Sequence, residues 1–143
     1  MIEESMIREK FIKGYDCSQV VLSYFTERLG ITEEIANKVS ACFGGGMMHG
    51  DTCGAFTGAI MAVGLKYGHC DVEYMGQKDI MNAKRAEFLQ KFQEKYGVCN
   101  CKGLLKHDIS KPEEMQKILD EGLLFDFCPE VVKDSITILK EIF

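Results

Sequence analysis

Cys17, Cys53, Cys101 and Cys128 share a local setting that suits a reactive or ligating thiol. Cys17 follows Asp16, Cys53 follows Thr52, Cys101 heads a short apolar turn, and Cys128 precedes Pro129. All four positions read as helix starts. A helix N-terminus presents free N–H groups and a partial positive charge. Both favour a thiolate and are expected to lower its pKa, making it a better nucleophile and a better ligand. The four lie tens of residues apart, so a shared site must be assembled by tertiary packing.

The spacing also excludes chemistry. There is no Cys-x-x-Cys, so neither a thioredoxin-type motif nor a zinc ribbon is present. Cys-x-x-Cys-His and His-Glu-x-x-His are absent as well. Cys99-Asn100-Cys101 is the one close pair, so Cys99 could replace or assist Cys101. Cys42 and Cys70 read as core or surface thiols. Three chemistries remain open: a four-thiolate iron–sulfur centre, such as [2Fe–2S], for electron transfer; a metal-free thiol–disulfide oxidoreductase led by Cys53; and a structural zinc site in an interaction module. Tyr15 and Gln19 flank Cys17 as candidate supporting groups. His49, four residues before Cys53, is the best placed histidine for moving a proton. Met47-Met48 could line a pocket.

The elements that must position these thiols are helical. Behind Cys53 comes a stripe of small residues, Gly54, Gly58 and Ala62 on one face and Ala55 and Ala59 beside it. Glycine inside a helix costs about 0.5–1 kcal/mol against alanine, so two of them imply that another backbone comes close. That backbone is expected within the same chain; a partner subunit is the alternative.

Ile2, Met6, Ile7 and Phe11 have helical spacing over 2–13. Asp16 caps a helix from Cys17 to about Leu29, with Gln19 as capping-box partner and Val20, Val21, Tyr24 and Phe25 inward. Thr32 caps a third through Ile35, Ala36 and Val39. Gly44-Gly45-Gly46 make a loop where backbone could approach a thiol or cofactor. Asp51 or Thr52 caps the central helix, which ends near Gly68. His69 to Gly76 is a connector, and a long helix over about 78–96 turns Ile80, Met81, Phe88 and Phe92 inward. Ser110, with Glu113 and Pro112, starts another helix. Residues 123–127 are an apolar linker, and Cys128-Pro129 opens the last helix with Val132, Ile136, Leu139 and Phe143 on one face. No strand pattern is convincing. The expectation is an all-α, single-domain bundle of about six to seven short helices over residues 1–143.

Composition bounds the rest. The 143 residues carry a net charge of −5, with no basic stripe for nucleic acid. The longest apolar run, 59–65, is far short of the roughly 18 residues a membrane span requires. The N-terminus is unlike a signal peptide. An odd count of seven cysteines argues against a simple disulfide framework. Together these place the protein in the cytoplasm, where thiols stay reduced.

At Cys53-Gly54-Ala55-Phe56-Thr57-Gly58 the chain resembles the redox-active family named for its dispersed cysteines and Cys-Gly-Ala-x-x-Gly motif. Gly14-Tyr15-Asp16-Cys17-Ser18-Gln19 looks like the family's first cysteine segment, and Phe43-Gly44-Gly45-Gly46-Met47 like its glycine loop. Cys101-Lys102-Gly103-Leu104-Leu105 and Cys128-Pro129 look like the third and fourth cysteine segments. The resemblance covers nearly the whole chain. It implies that Cys17, Cys53, Cys101 and Cys128 are the functional cysteines. Gly45, Gly46, Gly54 and Gly58 are the glycines expected to let backbone approach the site. It further implies a redox role with an unidentified partner. The family is similar to part of the split-Soret cytochromes, dimeric haem proteins thought to hold an iron–sulfur cluster. The haem-attachment motif is missing here, so the haem role is not carried over, whereas the cluster role can be; a homodimer is a further possibility.

Overall fold

A computed structural model describes residues 2–71 and 75–143. Among them are nine α-helices: α1 (Glu4–Ile12), α2 (Cys17–Tyr24), α3 (Thr26–Leu29), α4 (Glu33–Ser40), α5 (Gly54–Tyr67), α6 (Met75–Tyr96), α7 (Cys101–Leu105), α8 (Pro112–Asp120) and α9 (Cys128–Ile142). The all-α class stands, with more helices than the six or seven expected. The excess arises from short pieces. Buried Phe25 adopts φ −103°, ψ 11°, which ends α2 and leaves α3 as a separate turn. Part of the 69–76 connector, residues 72–74, lies outside the described residues.

The centre of the packing is α5. Its small-residue face lies on α2, so the close approach is within the chain. A Cβ at Gly58 would stand 2.6 Å from the Ser18 carbonyl oxygen. Ala55, Ala59 and Ala62 are fully buried. On another face of α5, Phe56 meets Phe88 and Phe92 of α6 edge-on at 5.4 and 5.3 Å. Val132, Ile136 and Leu139 of α9 fill the space between these layers, and Ile7 and Phe11 of α1 close it. Ser18 Oγ donates to the Ser40 carbonyl at 2.7 Å, tying α2 to α4.

A second, smaller apolar cluster gathers Cys101, Leu105, Ile109 and Ile118, with Met115, Leu123 and Leu124 against it. Phe127 and Cys128 touch both clusters.

Several expected inward faces turn out narrower. Ile80, Met6, Ile35 and Val39 are about half exposed, and Tyr24 partly so. Among the described residues of α6, only Phe88 and Phe92 are fully buried, because the helix packs mainly on α5 and α9. Two caps also differ. Ser110 does not cap α8; its N–H and hydroxyl both bond Asp108, and Lys111 takes the cap position before Pro112. The α5 cap is Cys53 itself.

Gly58→Ala is expected to destabilise the fold by about 1–3 kcal/mol, since backbone cannot yield as a side chain can. Gly64→Ala, in the same helix with nothing within 4 Å of its Cβ position, should stabilise by about 0.5–1 kcal/mol. Urea unfolding of the two variants checks both signs.

Candidate functional site

The four cysteines line one cavity of about 230 Å³ between the two apolar clusters. Each reaches it by a different local device. Cys17 is the first residue of α2, held by the capping box in which the Asp16 N–H donates to Gln19 Oε1 at 2.9 Å. Cys128 is the first residue of α9, with Pro129 fixing the helix start. Cys53 and Cys101 arrive together. Thr52 and Asn100 form an isolated antiparallel bridge. Beside it the Cys53 N–H donates to the Cys99 carbonyl at 2.8 Å and the Cys101 N–H to the Asp51 carbonyl at 2.6 Å. The bridge keeps 51–52 extended, so the α5 cap falls on Cys53 rather than on Asp51 or Thr52. Asn100 then caps α7, accepting from the Gly103 N–H at 3.2 Å.

Gly54 makes room for Cys17. A Cβ there would lie 2.3 Å from Cys17 Sγ and 2.9 Å from the Phe43 carbonyl oxygen. Gly45 lines the cavity as well, and its N–H hydrogen-bonds the Cys17 sulfur. Gly46 and Gly58 stand away from the cavity. A Cβ at Gly46 would meet Asp51 N at 2.4 Å, so Gly46 seats the glycine loop on the segment that leads to Cys53. Gly58 sets the distance between α2 and α5. Gly45, Gly46, Met47 and Met48 carry consecutive positive φ angles of 64°, 60°, 57° and 57°. Outside glycine this left-handed conformation costs about 1–2 kcal/mol per residue. The turn places Met48 at the cavity rim.

Cys99 is half-buried and does not line the cavity; Cys101 does. Cys42 and Cys70 are exposed and stand apart. Among the histidines, His107 pairs with Glu121 at 3.2 Å, and none of the three lines the cavity. Tyr15 lies at the rim; Gln19 serves the cap, and its amide also donates to the Asn37 carbonyl at 3.0 Å.

The electrostatics reverse the expectation for three of the thiols. Hydrogen bonding with the Cys53 side chain, followed by burial, pushes Cys17 well above the ordinary thiol range. Burial first, then the charges of Cys17 and Asp108, pushes Cys101 up to about 12. Burial, then Cys17 and Cys101, raises Cys128. A helix terminus supplies about 0.3–1 kcal/mol, under one pKa unit. Burial can shift a group by as much as 3–5 units, and here it prevails. These thiols are neutral at pH 7 until something displaces their protons. Burial also raises the Asp16 carboxyl at the rim.

The cavity also has an apolar wall that the cysteine pattern does not announce. Phe11, Leu104, Leu105, Ile109, Leu124 and Phe125 supply much of it. Arg8 pins part of that wall, donating from Nε to the Phe125 carbonyl at 2.8 Å and from Nη2 to Asp126 at 2.7 Å. The available signal was the apolar run 123–127, which forms a wide helical turn rather than a linker. Behind the site, the Tyr96 hydroxyl bonds Asp134, and its ring lies tilted against Phe92 with centroids 5.0 Å apart. Burial and Asp134 raise the Tyr96 pKa.

Among the described residues, no group of three or more His, Cys, Asp or Glu side chains is drawn tightly enough around one point to hold a metal ion. The thiols surround a space instead. Their chemistry is therefore that of a soft, all-sulfur donor set with a dry wall, or of closely spaced thiols.

A family model described as "Putative redox-active protein (C_GCAxxG_C_C)" matches residues 15–142. No curated protein and no solved structure matches the chain.

In the reduced, metal-free chain, iodoacetamide at pH 7.5 should modify exposed Cys42 and Cys70 at least about tenfold faster than Cys101 and Cys128, because the neutral thiol is unreactive. Peptide mapping over time reads this. A raised folded pKa also fixes the sign of the stability change. The contribution is intact below the unfolded thiol value, about 8.5, and is lost as pH rises toward about 12. The metal-free chain should melt lower at pH 10 than at pH 8.

Proposed function

The chain belongs to the C_GCAxxG_C_C family, described as redox-active, over residues 15–142, and from that premise we propose that Cys17, Cys53, Cys101 and Cys128 hold an iron–sulfur cluster that carries electrons. The observation behind this reading is the space itself. Four thiols from four separate elements line a cavity of about 230 Å³ that Gly54 keeps clear on the Cys17 side. A metal-free dithiol needs no such space. A lone zinc needs four sulfurs about 2.3 Å from one point, whereas a cluster is several atoms across and is bound by thiolates around its edge.

The residues present fit such a group. The donor set is all sulfur, which selects iron–sulfur or other soft centres. The Gly45 N–H already faces the Cys17 sulfur; N–H donors to sulfur raise a cluster's potential, while a dry wall, which disfavours the more negative reduced state, lowers it. When bound, the cluster would supply one-electron transfer. The chain's own residues orient the four sulfurs, exclude water with Leu104, Leu105, Ile109 and Phe125, and release thiol protons as the site fills. Filling is thus favoured by rising pH. The reading places the protein in a reducing compartment such as the cytoplasm and leaves its redox partner to be identified.

One observation favours a second reading. Cys17 and Cys53 are near enough for their thiols to hydrogen-bond, so this pair could cycle between dithiol and disulfide without metal.

Anaerobic reconstitution with iron and sulfide tests the first reading. Wild type should take up both in equal amounts and gain visible absorption. Gly54→Ala, which drives a methyl group into Cys17, and Cys128→Ser should lose most of that absorption while keeping wild-type helicity. Colourless, iron-free protein with a reversible two-electron couple at Cys17 and Cys53 would establish the second reading instead.

A further inference from the structure

The Thr52–Asn100 bridge does more than deliver two ligands. In an antiparallel pair, the residues next to a bridged pair also stand opposite one another. One step from Thr52 and Asn100, that pair is Cys53 and Cys99, joined by the hydrogen bond from the Cys53 N–H to the Cys99 carbonyl. Directly opposed residues lie with Cα atoms about 4.5–5.5 Å apart and side chains on the same face. A disulfide accepts Cα separations of about 4.4–6.8 Å. The bridge therefore holds the two backbones within disulfide range, and the thiols, which face Cys17 and Gln93 in the reduced chain, must rotate toward one another to bond.

Access distinguishes the two thiols. Cys53 is buried against the cavity, while Cys99 is half-buried, lies outside the cavity, and packs against the same core cluster. The Gln93 side chain hydrogen-bonds the Cys99 sulfur. A reagent from solvent meets Cys99 before it meets the buried Cys53.

We propose that Cys99 is a redox latch for Cys53: a small-molecule disulfide converts the pair to a Cys53–Cys99 disulfide, and that bond withdraws Cys53 from the four-thiol site. In the first step the Cys99 thiolate attacks one sulfur of the external disulfide, forming a mixed disulfide and expelling one thiolate. In the second, Cys53 loses its proton to solvent and attacks the Cys99 sulfur, expelling the second thiolate. Two protein thiols are oxidised and one external disulfide is reduced to two thiols. A dithiol reductant reverses both steps. The consequence for loading rests on the reading of Cys53 as a site ligand; the disulfide does not.

The test uses the reduced, metal-free chain carrying Cys42→Ser, treated with oxidised glutathione and digested with trypsin without reduction. The expected link joins peptide 39–66, which holds Cys53, to peptide 96–102, which holds Cys99 and Cys101. It should persist in Cys101→Ser and vanish in Cys99→Ser. A link that survives Cys99→Ser, or one that joins 39–66 to the Cys17 peptide 14–28 instead, overturns the proposal. In parallel, iron and sulfide uptake should fall at least tenfold in the oxidised chain, recover with dithiothreitol, and remain in Cys99→Ser after the same oxidation. Equal loss in Cys99→Ser overturns the latch. If the reduced chain takes up no iron, the cluster reading fails while the peptide map still decides the disulfide.

Discussion

The close approach of α2 to α5 is the constraint on which the site depends. It exists because α5 presents no side chain at Gly54 and Gly58, where a Cβ would strike Cys17 Sγ and the Ser18 carbonyl. Two glycines in a helix weaken it by about 0.5–1 kcal/mol each. That loss is offset where the helix is buried on α2, α6 and α9, as its fully buried Ala55, Ala59 and Ala62 are. The spacing of four residues puts both glycines on one face. One sets the gap between the helices and the other admits the Cys17 sulfur. Cys17 and Cys53 can then meet, although 36 residues separate them in the chain.

The other two thiols are brought in by means that have nothing to do with helix packing. Cys101 comes with Cys53 on a single antiparallel bridge, the smallest unit of sheet, whose two flanking hydrogen bonds fix their relative height. Cys128 comes on the turn 123–127, which Arg8 of α1 holds by a backbone carbonyl and a carboxylate. Burial then determines the protonation of these groups. Helix N-termini point at them, but the dry wall outweighs the terminal charge, and Cys101 and Cys128 rest as neutral thiols. A metal centre would gain from that wall, since it replaces the protons itself and is shielded from water afterwards.

Much of this was legible in the sequence. Caps, glycine stops and apolar spacing located most helices, because those signals act within a few residues. The four cysteines were legible for the same reason: each sits at a helix start that its neighbours encode, as Asp16 and Gln19 do for Cys17. What was not legible depends on partners distant in the chain. Thr52 reads as a cap until Asn100 pairs with it. Met47 and Met48 would not be assigned left-handed φ from their own preferences. Ile80 has the spacing of a core residue, yet it lies off the stripe of α6 that meets α5 and α9. The thiol pKa values could not be read at all, because burial is a property of the assembled wall.

The most direct measurement of the central claim is an anomalous difference map at the iron absorption edge, from crystals of protein purified and grown without oxygen. The account predicts iron peaks inside the cavity with Cys17, Cys53, Cys101 and Cys128 sulfurs bonded to them, and Cys42, Cys70 and Cys99 free of metal. A cavity without iron, with Cys17 bonded to Cys53, or metal held elsewhere on the chain, would contradict it.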